Sequence, residues 1–211
     1  MVAAATNSLI SIIDINLSSY ELREFLEEDW GADLLIDAFS KIFSAIFANN
    51  FYKCYGCLQE IKVSLNQFIR NTHSNIVNSR FEQLFSDLLR NITKNKQFDS
   101  VSSVQLVGFA SEEVAEVLPR FPNLEHLALI NCQYMIGTSL KDLKLNRGLT
   151  KLNLKGSYNI EGKVIQSLIS QSEVHLQSLV IDGENISSED LETIITLLPN
   201  RQLNEFRLYY G

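Results

Sequence analysis

The pair Cys54 and Cys57, in the segment KCYGC, has the C-x-x-C spacing that lets two thiolates grip a metal or close a redox disulfide. A structural zinc site needs four ligands, and the chain holds no second cysteine pair to supply the other two. The only other cysteine is Cys132, and His73, His126 and His175 show no ligand-like spacing. The expectation is two small, partly buried thiols beside Tyr55, with no metal and no cofactor. Nucleophilic and phosphate chemistry find no better footing. There is no G-x-S-x-G elbow, no glycine loop to cradle a phosphate and no H-E-x-x-H pair. The chain is therefore expected not to be an enzyme, and what remains for it to do is to bind.

Composition narrows what it binds. The 211 residues suffice for one large domain or two small ones, and 45% apolar with 20% charged residues fits an ordinary water-exposed fold. The net charge of −7 repels a phosphate backbone on average, and no run of Lys or Arg exceeds two residues, so nucleic acid is not an expected partner. An odd number of cysteines, three in all, does not make a disulfide framework, which points to a reducing compartment, cytoplasm or nucleus. The opening MVAAATNSLISIID lacks a basic leader region, and its uncharged run is shorter than the roughly 20 residues a spanning helix needs. No membrane role is expected. With three prolines and nine glycines, no flexible linker stands out.

The elements that would carry a binding surface emerge from a repeat. VSSVQL from Val101, LEHLAL from Leu124, LTKLNL from Leu149, LQSLVI from Leu176 and LNEFRL from Leu203 each place apolar residues at positions one, four and six, at steps of 23, 25, 27 and 27 residues. Each is a short strand with alternating faces: Leu149, Leu152 and Leu154 inward, Lys151, Asn153 and Lys155 outward. Three of the strands are followed three residues on by Phe109, Cys132 and Ser157; the fourth has Glu184 there and then Ile186. Helices fill the intervals. Ser111 with Glu112 and Glu113 opens SEEVAEVLPRF, with Val114, Val117 and Leu118 on one face. Ser187 or Ser188 caps SSEDLETIITLL, with Leu191, Ile194, Ile195 and Leu198 as its buried stripe. Pro119 and Pro199 sit at helix ends, where proline costs least. One such unit cannot bury its own faces, so the units must stack.

Residues 101–211 resemble a leucine-rich repeat. INCQYMIG and LKGSYNIEG are similar to the turn of the cysteine-containing subtype found in F-box leucine-rich-repeat proteins, and IDGENISSEDLETIITLLPN is similar to the ribonuclease-inhibitor subtype. The resemblance implies an α/β solenoid with parallel strands on the concave side and helices on the convex side. It also implies that Cys132 lines the core at the turn after its strand instead of acting as a reactive thiol. Strand repeats with short loops leave little room for a deep catalytic cleft.

Residues 1–100 read as an irregular, helix-rich region. Ile13, Ile15 and Leu17 suggest a strand, followed by a helix from Ser18 with a capping box to Glu21. Leu34, Leu35, Ala38, Ile42, Phe43, Ile46 and Phe47 make one apolar helical stripe, and Phe81, Leu84, Leu88 and Ile92 another. LQEIKVSL repeats the one-four-six pattern at Leu58, Ile61 and Val63. Two readings stand open: two degenerate, oversized repeats, or a separate subdomain capping the array. No F-box is found in this region. At the other end, Phe206, Leu208 and Tyr210 belong to a last strand with no helix after it, an edge expected to be covered by another chain or by missing repeats.

Strand alternation sends Ser103, Gln105, Val107, His126, Ala128, Ile130, Lys151, Asn153 and Lys155 outward, then Ser178, Val180, Asp182, Glu205, Arg207 and Tyr209. Apolar Val107, Ile130, Val180 and Tyr209 among His126, Lys151, Asn153, Lys155, Asp182 and Arg207 are what a protein-binding patch looks like. The leading expectation is a non-catalytic protein-interaction module. The family resemblance extends it to the substrate-recognition part of a ubiquitin ligase or a related adaptor. The alternative is a structural or assembly subunit, for example a small mitochondrial assembly factor, docking through its C-terminal edge.

Overall fold

The computed structural model describes residues 12–16, 34, 37–38, 41, 59–65, 79, 82–87, 90, 99–146, 148–172, 176–198 and 203–210. Alternation of apolar and polar residues produces strands in it at seven places. They are β1 (Ile12–Asn16), β2 (Glu60–Ser64), β3 (Ser103–Val107), β4 (His126–Ile130), β5 (Lys151–Asn153), β6 (Ser178–Asp182) and β7 (Glu205–Tyr209). All pair in parallel, and their order across the sheet is their order along the chain. Parallel neighbours need a crossover between them, and helical segments fill the described intervals. The chain is α/β. The strands of the first hundred residues, β1 and β2, join this same sheet in unbroken register with β3.

The inward side chains carry the core. At positions one, four and six of the first four repeats every residue is buried, from Val101, Val104 and Leu106 to Leu176, Leu179 and Ile181. The fifth repeat departs from this. Phe206 is 39% exposed, and Leu203 and Leu208 are only partly covered, because no described element packs beyond β7. Beneath β2, Ile61, Val63 and Leu65 extend the same core.

Repeat length decides which helix forms. The first two intervals hold 3₁₀ segments, η1 (Glu112–Arg120) and η2 (Thr138–Asp142), whereas the two later and longer ones hold α-helices, α1 (Gly162–Ser172) and α2 (Ser188–Leu197). A 3₁₀ turn rises about 2.0 Å per residue against about 1.5 Å for the α-helix, so fewer residues cover the same length of core. The expected helix at SEEVAEVLPRF is thus corrected to a 3₁₀ segment with Pro119 inside it; its cap is as expected, with Ser111 accepting from the Glu113 backbone N–H at 3.1 Å. In α2 the Ser187 hydroxyl accepts from Asp190 N–H and donates to the Asp190 carboxylate. The expected stripe of α2 needs a correction. Ile194 is fully buried and Leu191 and Leu198 are half-buried, but Ile195 is 51% exposed. α2 packs on α1, and the residue it buries is Ile194.

Two carboxylates tie one interval to the next. Glu82, on a helical segment spanning 82–87, accepts from the backbone N–H groups of Ala110 and Ser111 at 2.9 and 2.6 Å. Glu112 accepts from those of Ile136, Gly137 and Ser139, which cap η2 in place of a local side chain. Phe85 of the same segment is buried, its ring 5.8 Å from that of Phe109. Leu84 packs partly against the core as expected, while Phe81, Leu88 and Ile92 lie outside the described residues. Leu34, expected on a buried stripe, is 52% exposed; Leu35, Ile42, Phe43, Ile46 and Phe47 lie outside the described residues, as do Leu17, Ser18, Glu21, Leu58 and Pro199.

Candidate functional site

Parallel pairing lines the outward residues up in rows across the sheet. Glu60, Ser103, His126, Lys151, Ser178 and Glu205 form one row, and Lys62, Gln105, Ala128, Asn153, Val180 and Arg207 the next. Beside them Val107 stands next to Ile130, and Asp182 next to Tyr209. A groove of about 480 Å³ runs over the first two rows, from β2 to β7.

Of the expected binding residues, the groove brings together His126, Lys151, Asn153, Lys155, Val180, Arg207 and Tyr209. Val107, Ile130 and Asp182 lie on the same face outside it. Val180 requires a correction. It points outward, yet is only 7% exposed, closed in between Asn153 and Arg207 on its two neighbouring strands. Val107 and Ile130 are half-buried, so the apolar part of this face is less open than alternation alone suggests. Glu60 and Lys62 line the groove and were missed as binding residues, although LQEIKVSL carries the pattern that sends them outward.

The charges divide sharply by strand. On β2, Lys62 pairs with Glu60 at 3.1 Å, and on β7 Arg207 pairs with Glu205 at 2.7 Å. Glu205 also accepts from the Ser178 hydroxyl, and Asp182 accepts from the Glu184 backbone N–H. Tyr209 and then Glu205 raise the pKa of Arg207, which stays a cation. Between β2 and β7, β3 carries no outward charge, β4 and β5 carry His126 and Lys151 with Lys155 just past β5, and β6 carries Asp182. Lys155 rests its ammonium 4.9 Å above the Tyr209 ring, and Lys151 has no ion-pair partner among the described residues. His126 next to it has its pKa lowered, first by burial and then by the Lys151 charge, with Glu125 and Glu60 pulling weakly the other way.

Cys132 plays no part in this face. It is fully buried, its sulfur within reach of the Leu106 and Ile130 carbonyls, and burial pushes the thiol up to about 12. Such a thiol stays protonated and is not a nucleophile at neutral pH. Its backbone N–H donates to the Ser157 hydroxyl, which in turn donates to the Leu129 carbonyl. Cys54, Tyr55, Cys57, His73 and His175 lie outside the described residues. Among the described residues no three His, Cys, Asp or Glu side chains stand together as a metal site, and no helix is long and apolar enough to cross a membrane. At the last strand, Phe206 and Tyr210 are exposed, and Leu208 is half-buried, with Leu208 and Tyr210 lying over Gly183. No family model matches the chain, and no curated protein matches its sequence.

Proposed function

We propose that the chain is a non-catalytic protein-interaction module, a solenoid of the leucine-rich-repeat kind that engages a protein partner with the outward face of its sheet. The observation that carries this reading is the groove across six strands, with Lys151, Lys155 and Arg207 open at its surface. Strands in chain order, one per repeat, give a surface that is wide and shallow, which suits a protein segment better than a small substrate. The turns around Cys132 and Ser157 are the basis for extending the reading to substrate recognition within a ubiquitin ligase or a related adaptor. The test is affinity capture from source-cell extract with the unaltered chain, with the Lys151, Asn153 and Lys155 triple alanine, and with Ala128→Trp, which fills the groove floor. A partner lost from both variants, with their fold intact, supports recognition by this face; a partner held by both overturns it.

A second reading is favoured by Phe206 and Tyr210, which are 39% and 64% exposed on the outermost described strand. There the chain is a structural subunit of a larger assembly, docked through β7. Capture that survives both groove variants and is lost with Phe206→Lys and Tyr210→Lys selects this reading.

A further inference from the structure

We propose that the segment held on the sheet face is an acidic, extended stretch of a protein partner, with its carboxylates over Lys151 and Lys155. This rests on the interaction-module reading and names the chemistry of what that face binds.

The charge distribution leads to it. The outer strands neutralise themselves, Lys62 with Glu60 on β2 and Arg207 with Glu205 on β7. The outward positions of β3 hold no charge, β4 and β5 hold His126 and Lys151, and Lys155 follows β5; the acid of β6, Asp182, is engaged by the Glu184 backbone N–H. This positive centre belongs to a chain of net charge −7. An acidic segment is therefore repelled by the net charge of the chain and drawn to this part of the sheet face, which is how charge sets specificity and encounter rate more than raw affinity. A basic segment meets the opposite field.

Spacing sets the conformation. Lys151 begins β5, and Lys155 lies two residues past its end with its ammonium drawn over the Tyr209 ring, so the two charges sit at different places along the groove. The groove crosses six parallel strands about 4.8 Å apart, roughly 24 Å in all, which an extended segment of about seven residues spans. Asn153 and, in the same row, Gln105 offer amides to a peptide backbone, and Val180 closes the floor. Nucleic acid fits less well. Lys151 and Lys155, the two groove lysines with no ion-pair partner among the described residues, give few contacts to a phosphate backbone, which needs a run of them.

The test is fluorescence anisotropy on the full chain with a labelled peptide of alternating Glu and Thr around a central Leu. Analogues carry Gln or Lys in place of Glu, and a single-stranded oligothymidylate is run beside them. The Glu peptide is expected to bind at least about tenfold more tightly than either analogue. Raising salt from about 0.1 M to about 1 M, which shortens the screening length from about 10 Å to about 3 Å, should remove most of that difference. Lys151→Glu with Lys155→Glu should cost at least about tenfold and turn the preference toward the Lys peptide. Lys163→Glu, exposed on α1 away from the groove, should change nothing. Lys151→Gln with Lys155→Gln serves if the charge reversal impairs folding, both being checked by circular dichroism. Equal binding of the Gln analogue, equal loss with Lys163→Glu, or tighter binding of the oligonucleotide overturns the proposal. If partner capture is lost with Ala128→Trp but kept with the charge reversals, the acidic occupant is wrong and the sheet-face reading stands. If capture survives both, the sheet-face reading falls as well.

Discussion

At the residue scale, the same side-chain type does opposite work depending on where the fold puts it. Ser157 is 3% exposed, and its hydroxyl joins two strands by donating to Leu129 C=O at 2.8 Å and accepting from Cys132 N–H at 2.9 Å. Removing it leaves a buried donor and a buried acceptor without partners, each costing about 1–2 kcal/mol. Ser157→Ala is expected to lower stability by about 2–4 kcal/mol in equilibrium urea unfolding. Ser170→Ala, which removes an exposed hydroxyl bonded only to its own helix, should stay within about 0.5 kcal/mol. His126 gives a pH signature. Its native pKa lies below the ordinary 6.5, so the unfolded chain takes up the proton first as pH falls. Stability is therefore full above about 6.5 and declines as pH drops from there through the native value. An imidazole NMR titration should show the depressed pKa moving up in Lys151→Gln, because burial remains and the neighbouring charge is gone. No change in that variant would remove Lys151 as a cause. The placing of Cys132 was legible only through the resemblance of its turn to a known repeat type; the double hydrogen bond of Ser157 was not, because it depends on two neighbouring turns meeting.

At the scale of elements, the apolar spacing located β3 to β7, and the buried residues of β3 to β6, well, since a period of two leaves little freedom once one face is buried. Helix type was not legible. Glu112–Arg120 has the composition of an α-helix, but the 3₁₀ form is what a short repeat with Pro119 in it accommodates. The caps that Glu82 and Glu112 lend to neighbouring turns were also hidden, because nothing local marks a carboxylate that bonds backbone 24 or more residues away. Close approach of elements gives a further prediction. Gly148 has φ +76°, and a Cβ there would meet the Gln171 carbonyl oxygen at 2.5 Å and Ser172 Cα at 2.9 Å, both backbone atoms at the end of α1. Gly148→Ala must strain its own backbone and push the helix end away, and a loss of at least about 2 kcal/mol is expected. Gly137 has nearly the same φ, +77°, but its nearest neighbour is the tip of Leu140 at 3.1 Å. Gly137→Ala should therefore cost only the conformational part, about 1–2 kcal/mol. Equal thermal shifts in the two variants would mean that the contact with α1 adds nothing.

At the scale of the whole molecule, a sheet whose strands follow chain order has its two edges at β1 and β7, and each presents one row of backbone groups without a described neighbour. That β1 and β2 continue the sheet was only half legible, since intervals above forty residues obscure a repeat that shorter ones make plain. At the β7 edge Phe206 and Tyr210 are exposed, with Ile195 exposed on α2; on β1, Asp14 and Asn16 are exposed. An open apolar edge pairs with another strand when one is offered. Pairing of β7 with β1 of a second copy is head-to-tail and has no natural end, so it would build filaments. Pairing of β7 with β7 is two-fold and antiparallel and closes at a dimer. A two-fold axis at Phe206 sets Glu205 of each copy opposite Arg207 of the other, so the charges favour the closed form. Sedimentation equilibrium on the chain should accordingly show a reversible monomer–dimer system with no larger species. Phe206→Lys with Tyr210→Lys should leave a monomer whose stability is within about 0.5 kcal/mol of the original, because both side chains already face solvent. A chain that stays monomeric at high concentration would show that this edge does not pair with itself. Filaments suppressed by the same two substitutions would assign the pairing to β1.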